Sequence, residues 1–307
     1  MSPPPAPPGP IVVGVERSER SRDALALGRR LARVAGTRLI LVSVFPVGAR
    51  SAVVERGAYA QALAEEAESA LDWVTAPVCG ARPETRAVPC TSIPRGLQRV
   101  ALAENALAIV VGASHRGPLG RIIPGSVGER LLRGACCPVA VAPRGCGADA
   151  HSPIPRLGVG LAAGPDADEA LRAAVGLAAC TGASVRVLSV VEPAAVSAAR
   201  PFGWDVDERT ARENLAERIG SATAGVPIPV AIRGEVVDGY ADDELARLSQ
   251  EVDLLVCGAT GRRPVGGVRL GAVSAGILRK ARCPLLVVPR GAGDGFAALA
   301  AAADIAA

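Results

Sequence analysis

Aromatic residues make up only 2% of this 307-residue chain, histidine occurs twice, and all but one of its 34 basic residues are arginine. Single-stranded nucleic acid is held by stacking bases on aromatic rings, and that platform is missing. The lone lysine, Lys280, removes the usual lysine of a phosphate loop. The eight cysteines include no C-x-x-C pair, and only His115 and His151 could join them. A structural zinc site wants about four closely spaced ligands, so no metal site is expected. No apolar run approaches the ~20 residues needed to cross a bilayer, which argues against a membrane protein. The opening MSPPPAPPGP lacks the basic segment and apolar core of a signal peptide. Residues 1–10 read as a disordered Pro-rich tail, and the expected setting is cytoplasmic.

The net charge is +4, and seven arginines fall between Arg17 and Arg38. On a helix, Ala24, Leu27, Leu31 and Val34 form one apolar stripe, with Arg22, Arg29 and Arg33 on the opposite face. A solvated helix face accounts for them better than a nucleic-acid surface does. Cys137 and Cys283 each precede a proline and an apolar strand and read as buried structural thiols.

What the chain does have is an internal copy. Gly112 opens GASHRGPLGRIIPGSVGERLLRGACCPVAVAPR, and Gly258, 146 residues later, opens GATGRRPVGGVRLGAVSAGILRKARCPLLVVPR. Fifteen of these 33 positions are identical without a gap. The same offset aligns Ile11–Val15 with Leu157–Leu161. A period this long is a whole domain, since solenoid units run roughly 20–50 residues. Two domains are expected at 11–144 and 156–290, joined by a Pro/Gly-rich linker at 145–155 and followed by an Ala/Gly-rich tail at 291–307.

Each unit reads as alternating strands and helices. In the first, strands at Ile11–Val15, Leu39–Phe45, Thr85–Val88, Leu107–Val111 and Val139–Ala142 alternate with helices at about 21–35, 55–74, 94–104 and 126–133. Ser21 is the candidate cap of the first helix and Gly36 its stop. The second unit repeats the order, with strands at Leu157–Leu161, Val185–Val191, Pro229–Ile232, Leu254–Cys257 and Leu285–Val288. Continuous Val/Ile/Leu runs mark strands buried on both faces, and the alternation indicates a parallel sheet with helices on both sides.

Ligands of such sheets bind beyond the carboxyl ends of the strands. There, Gly112 ends the fourth strand and Gly125-Ser126 begins a helix, whose exposed N–H groups favour phosphate. An ordinary helix cap is the competing reading. Gly120–Ser126 has the glycine spacing of a Walker A loop but no lysine before the serine. Gly158–Ala163 fits G-x-G-x-x-A, yet the first unit does not, and the candidate acid Glu192 lies too far on.

Together these residues resemble the universal stress protein family in its tandem form, over almost all of both units. Its nucleotide-binding members carry G-x2-G-x9-G-(S/T) after the fourth strand. The first unit matches at Gly112, Gly125 and Ser126, with His115 in place of the second glycine. The second unit matches at Gly258, Gly261 and Gly271, with Ala272 in place of the hydroxyl residue. Glu16 stands where the family's aspartate contacts the nucleotide, and Ala162 takes that place in the second unit. The resemblance implies two Rossmann-like, doubly wound parallel-sheet domains of the adenine-nucleotide α-hydrolase-like kind. It implies a first-unit site of Gly14, Val15, Glu16, Val44, Gly112, His115, Arg116, Gly125, Ser126 and Val127. The weaker second-unit set is Val190, Gly258, Gly261, Gly271, Ala272 and Val273. The expected cofactor is ATP, with Mg2+ as a candidate companion and AMP or ADP as alternatives.

The function expected is a non-catalytic ATP-binding stress-response regulator with a protein partner still to be identified. The alternatives are an interaction module of the same fold without nucleotide, and a slow ATP hydrolase. No histidine, lysine or carboxylate constellation near the loop suggests the base or metal clamp of phosphoryl transfer. The apolar closing strands Val139–Ala142 and Leu285–Val288 would each leave an open sheet edge if their unit stood alone. The resemblance implies that they pair as an internal pseudo-dimer, with a homodimer of chains as a further possibility. Residues 1–148 expressed alone are therefore expected to form a homodimer in sedimentation analysis; a stable monomer at high micromolar concentration would count against the pairing.

Overall fold

The computed structural model describes residues 8–46, 55–77, 82–113, 126–149, 152–162, 165–192, 208–224, 226, 229–259 and 272–300. Residues 6–152 form one compact unit and residues 153–307 belong to a second. The first runs β1 (Ile11–Gly14), α1 (Glu19–Val34), β2 (Leu39–Pro46), α2 (Glu55–Thr75), β3 (Glu84–Cys90), α3 (Ile93–Ala103), β4 (Ala108–Gly112), α4 (Ser126–Arg133) and β5 (Val139–Ala142). Its sheet order is β3-β2-β1-β4-β5, with parallel pairing throughout. The second runs β6 (Arg156–Gly160), α5 (Pro165–Thr181), β7 (Ser184–Val191), α6 (Glu208–Thr223), β8 (Ile232–Asp238), α7 (Ala241–Leu248), β9 (Leu254–Gly258), α8 (Ala272–Lys280), β10 (Leu285–Val288) and α9 (Asp294–Ala297). Its order is β8-β7-β6-β9-β10, again parallel.

Each sheet is covered on both faces. Successive strand residues point to opposite sides. A Cβ on Gly28 of α1 would meet the Val13 side chain at 2.5 Å, and one on Gly14 would meet Leu97 of α3 at 2.9 Å. The two helices therefore lie on opposite faces of β1. Ile11, Val12, Val13 and Ala108–Val110 are completely buried, as unbroken apolar runs in a parallel sheet require.

Three local readings need correction. Helix α1 starts at Glu19 behind Ser18, and Ser21 is not its cap: the buried Ser21 hydroxyl accepts the backbone N–H of Glu16 at 2.9 Å. Ser18 and Ser21 are equally good caps in sequence, and packing of the β1–α1 turn selects the earlier one. The third strand of the second unit is Ile232–Asp238, not Pro229–Ile232. It pairs on one side only, with β7, and stays half-exposed, so its sequence IRGEVVD carries polar residues that hide it. The stop at Gly36 holds: φ is +59° there, and the N–H of Thr37 reaches back to Ala32 O at 2.9 Å, closing the helix end. Of the arginines expected in solvent, Arg22 is instead half-buried, with its guanidinium 3.8 Å from the Trp73 ring centroid. Cys137 and Cys283 are buried as expected.

A device recurs in both units. Asp23 of α1 accepts the N–H groups of Gly145 (3.0 Å) and Gly147 (2.7 Å), at the 3-10 turn Cys146–Asp149 that follows β5. Glu169 of α5, 146 residues on, accepts Gly291 (2.7 Å), Ala292 (3.0 Å) and Gly293 (3.0 Å) after β10. Both turns use a glycine at positive φ, Gly145 and Gly291, where other residues are strained. Burial pushes the Asp23 carboxyl above its ordinary range, against the pull of the two N–H bonds. The fold therefore holds this proton more tightly than the unfolded chain does. Stability from this group is greatest at low pH and falls as pH rises through the folded pKa.

Removing either carboxylate leaves backbone N–H groups without their acceptor. Asp23→Ala and Glu169→Ala are each expected to cost about 1–3 kcal/mol in urea unfolding. The deficit of Asp23→Ala should narrow as pH rises from the acid range toward neutrality. An unchanged unfolding midpoint in both variants would refute the clamp.

Candidate functional site

In the first unit the chain goes from β1 outward to β3, then returns to β4 on the other side of β1. That reversal leaves a crevice at the carboxyl ends of β1 and β4, the place where open α/β sheets take ligands. A cavity of about 230 Å³ lies there. Its floor is Gly14 and Val15 at the end of β1, Val42–Pro46 of β2, and Val111 and Gly112 of β4. One wall is a single face of α2 (Leu63, Glu66, Ala67 and Ala70), and the other is Ile93 and Leu97 of α3.

Six of the ten residues expected in the first unit line this cleft: Gly14, Val15, Glu16, Val44, Gly112 and Val127. Ser126 opens α4, with its side chain outside the described atoms. His115, Arg116 and Gly125 lie outside the described residues, as do Gly261 and Gly271. In the second unit Val190 lies in β7, Gly258 ends β9, and Ala272 and Val273 open α8.

The lip carries charge. Glu16, in the turn between β1 and α1, is ion-paired with Arg20 of α1. The glutamate side chain remains 44% exposed and the arginine 29%. Arg17 also lines the opening. An acid that can accept hydroxyl hydrogens thus stands beside two guanidinium groups suited to phosphate oxygens. The opposite side is apolar. A Cβ on Gly96 would meet the Val44 side chain at 2.6 Å, so the missing side chain at Gly96 lets α3 close down on Val44.

Gly112 has a packing reason for being glycine. A Cβ there would lie 2.2 Å from the carbonyl oxygen of Arg20, because the first turn of α1 presses on the end of β4. The sequence reading gave Gly112 only as the end of the fourth strand and the first glycine of the motif; the structure adds this steric demand. Arg20 and the α2 and α3 walls were not singled out from sequence, and Ser21 was noted only as a helix cap. The four-residue spacing of Glu16 and Arg20 was a weak signal for one of them. Nothing in the sequence marked the walls, which tertiary packing brings to the strand ends.

In the second unit the corresponding turn is wired differently. Ala162 offers no side-chain acceptor, and its carbonyl takes a hydrogen bond from Arg218 of α6 at 2.8 Å. The buried Ser274 hydroxyl donates to Gly258 O at 3.2 Å, fastening α8 to the end of β9. Among the described residues, no group of three or more His, Cys, Asp or Glu could hold a metal ion, and no helix is long and apolar enough to cross a membrane.

The pattern of the universal stress protein family matches residues 9–143 and again residues 154–289. The chain belongs to this family. It is 32% identical over 192 residues to a universal stress protein of Mycobacterium tuberculosis, a match covering 61% of the chain and 63% of that relative's length. A universal stress protein of Mycolicibacterium smegmatis is 28% identical over 293 residues, covering 91% of the chain and 96% of the relative. Among solved structures, a universal stress protein of Archaeoglobus fulgidus superposes with a TM-score of 0.66 at 19% identity. It covers 92% of this chain and 98% of its own. That likeness is one of fold, and it agrees with the expected tandem α/β architecture.

Gly112→Ala is expected to destabilise the chain by about 1–3 kcal/mol, since α1 must move to admit the methyl. Gly220 in α6, where a Cβ would meet nothing within 4 Å, is the matched control. Gly220→Ala should be neutral or stabilising by up to about 1 kcal/mol. Equal unfolding midpoints for the two variants would remove the steric argument.

Proposed function

We propose that this chain is a non-catalytic adenine-nucleotide-binding regulator of the stress response, acting in the cytoplasm, with ATP as ligand of its first unit. The observation that carries the reading is the convergence of Glu16, Val44 and Gly112 on one cleft beside the start of α4. In this reading Val44, backed by Gly96, receives the adenine. Glu16 accepts hydrogen bonds from the ribose. Gly112, Gly125, Ser126 and the N–H groups opening α4 hold the phosphates, with Arg17, Arg20 and Arg116 neutralising charge. Bound nucleotide then biases conformation or the choice of a protein partner.

The ion pair between Glu16 and Arg20 favours a second reading, an interaction module of the same fold in which the acid is already satisfied. Mass spectrometry of small molecules released from natively purified, denatured protein separates the two. Adenine nucleotide at near one equivalent supports the first, and its absence supports the second. A magnesium-dependent turnover assay tests slow hydrolysis.

Calorimetry places the site. Gly125→Val is expected to abolish ATP binding, because a β-branched residue keeps the backbone from the phosphates. Ser126→Ala should weaken it by about 1.5–3 kcal/mol, one hydrogen bond to a charged group. Gly271→Val should leave the tight site intact. One tight site per chain is expected. The losses at Ala162 and Ala272 remove two contacts of about 0.5–1.5 kcal/mol each, weakening the second unit by roughly tenfold or more. First-unit variants that bind like the parent would refute this placement.

A further inference from the structure

Internal landmarks bring the two units into register. The strand pairing Ile11 with Leu39 recurs as Leu157 with Val185, at the offset of 146. The next helices run two residues further apart. The Thr75 hydroxyl donates to Leu71 O at the end of α2, and the Thr223 hydroxyl to Ile219 O at the end of α6. Leu97 of α3 faces Gly14, and Leu245 of α7 faces Gly160. In this register the cleft-lining face of α2, at positions 63, 66, 67 and 70, corresponds to positions 211, 214, 215 and 218 of α6. Ala211 and Leu215 are buried, as Ala67 is, so the same helix face turns inward. Ala70, small and buried, leaves the first cleft open. The residue in its place is Arg218.

Arg218 bridges the turn after β6 and the start of α5. Its Nη1 donates to Ala162 O at 2.8 Å, and its Nε donates to Asp168 Oδ1 of α5 at 2.5 Å. Ala162 is the counterpart of Glu16, so the guanidinium lies over the turn where the first unit presents its acid. A second tie lies on the same rim. Glu192, the counterpart of Pro46, accepts the N–H of Ala241 at the start of α7 at 3.1 Å. Ala241 is the counterpart of Ile93, and both Pro46 and Ile93 line the first cleft.

We propose that Arg218 is the residue that keeps adenine nucleotide out of the second unit, by bridging Ala162 and Asp168 across the place where ribose would lie. This rests on the nucleotide-binding reading of the fold given above, and it adds a removable cause to the side-chain losses at Ala162 and Ala272. Ligand entry requires the guanidinium to leave both partners. The apparent affinity of the second unit is then lowered by the fraction of molecules in which it has done so. Arg218→Ala removes the bridge and reproduces the alanine of the first unit. Asp168→Asn removes the charge that holds the guanidinium and leaves Arg218 in place.

The test is calorimetric titration of ATP into the full chain as parent, Arg218→Ala and Asp168→Asn, with circular dichroism to verify folding. The expected result is one site in the parent and two in Arg218→Ala, with the second unit's affinity raised at least tenfold. Asp168→Asn should give a smaller gain in the same direction, and it carries the test if Arg218→Ala fails to fold. Two sites of similar affinity in the parent, or one site in every folded variant, would overturn the gate while leaving the first-unit reading intact. No binding by the parent but one site in Arg218→Ala would support the gate and overturn the first-unit site. No binding in any variant would overturn both.

Discussion

Burial of every central strand on both faces is the constraint from which the remaining features follow. With α1 against one side of β1 and α3 against the other, neither face has room for polar chemistry. Recognition is left to the strand ends, where β1 and β4 part and the backbone turns away. The cleft of the first unit is there because only there does the sheet run out. Its small residues have the same origin: Gly14, Gly96 and Gly112 sit where helix and strand come too close for a Cβ.

The two copies show how one scaffold supports different wiring at the same point. In the first unit the turn after β1 carries Glu16, paired with an arginine from its own α1. In the second the acid is gone, and an arginine from the neighbouring helix binds the backbone instead. Both arrangements bring a guanidinium to this turn, in one case to a carboxylate and in the other to a backbone carbonyl. Divergence after duplication has thus changed the wiring of this turn without disturbing the sheet beneath it.

Duplication has kept one element that has no part in the site. Asp23 and Glu169 occupy equivalent positions, and each gathers backbone N–H groups from the turn that follows its unit's last strand. The change from aspartate to glutamate preserves the acceptor and lengthens its reach, and a third N–H is gathered in the second unit. Such contacts fasten the end of each unit to the helix nearest its start, and in neither case did sequence reading single them out.

The strands, their order and the fact of duplication were legible in the chain, because unbroken runs such as IVVGV and LILVSVF can only be buried, and because a fixed offset of 146 residues admits no other reading. The pattern placed Gly112 at a strand end, whereas Glu16 and Val44 were named by the family resemblance, and all three line the same cleft. The half-exposed strand Ile232–Asp238 was misplaced because an edge pairs on one side and tolerates charge. The choice between Ser18 and Ser21 turned on which serine packing draws into the β1–α1 turn. Ala70 and Arg218 lay beyond any local pattern, since an alanine or an arginine on a helix is ordinary until its neighbours are known. Hydrophobic periodicity is a local property of the chain and survives in one dimension. The closeness of Arg218 to Ala162, 56 residues away, exists only once α6 has docked on its sheet.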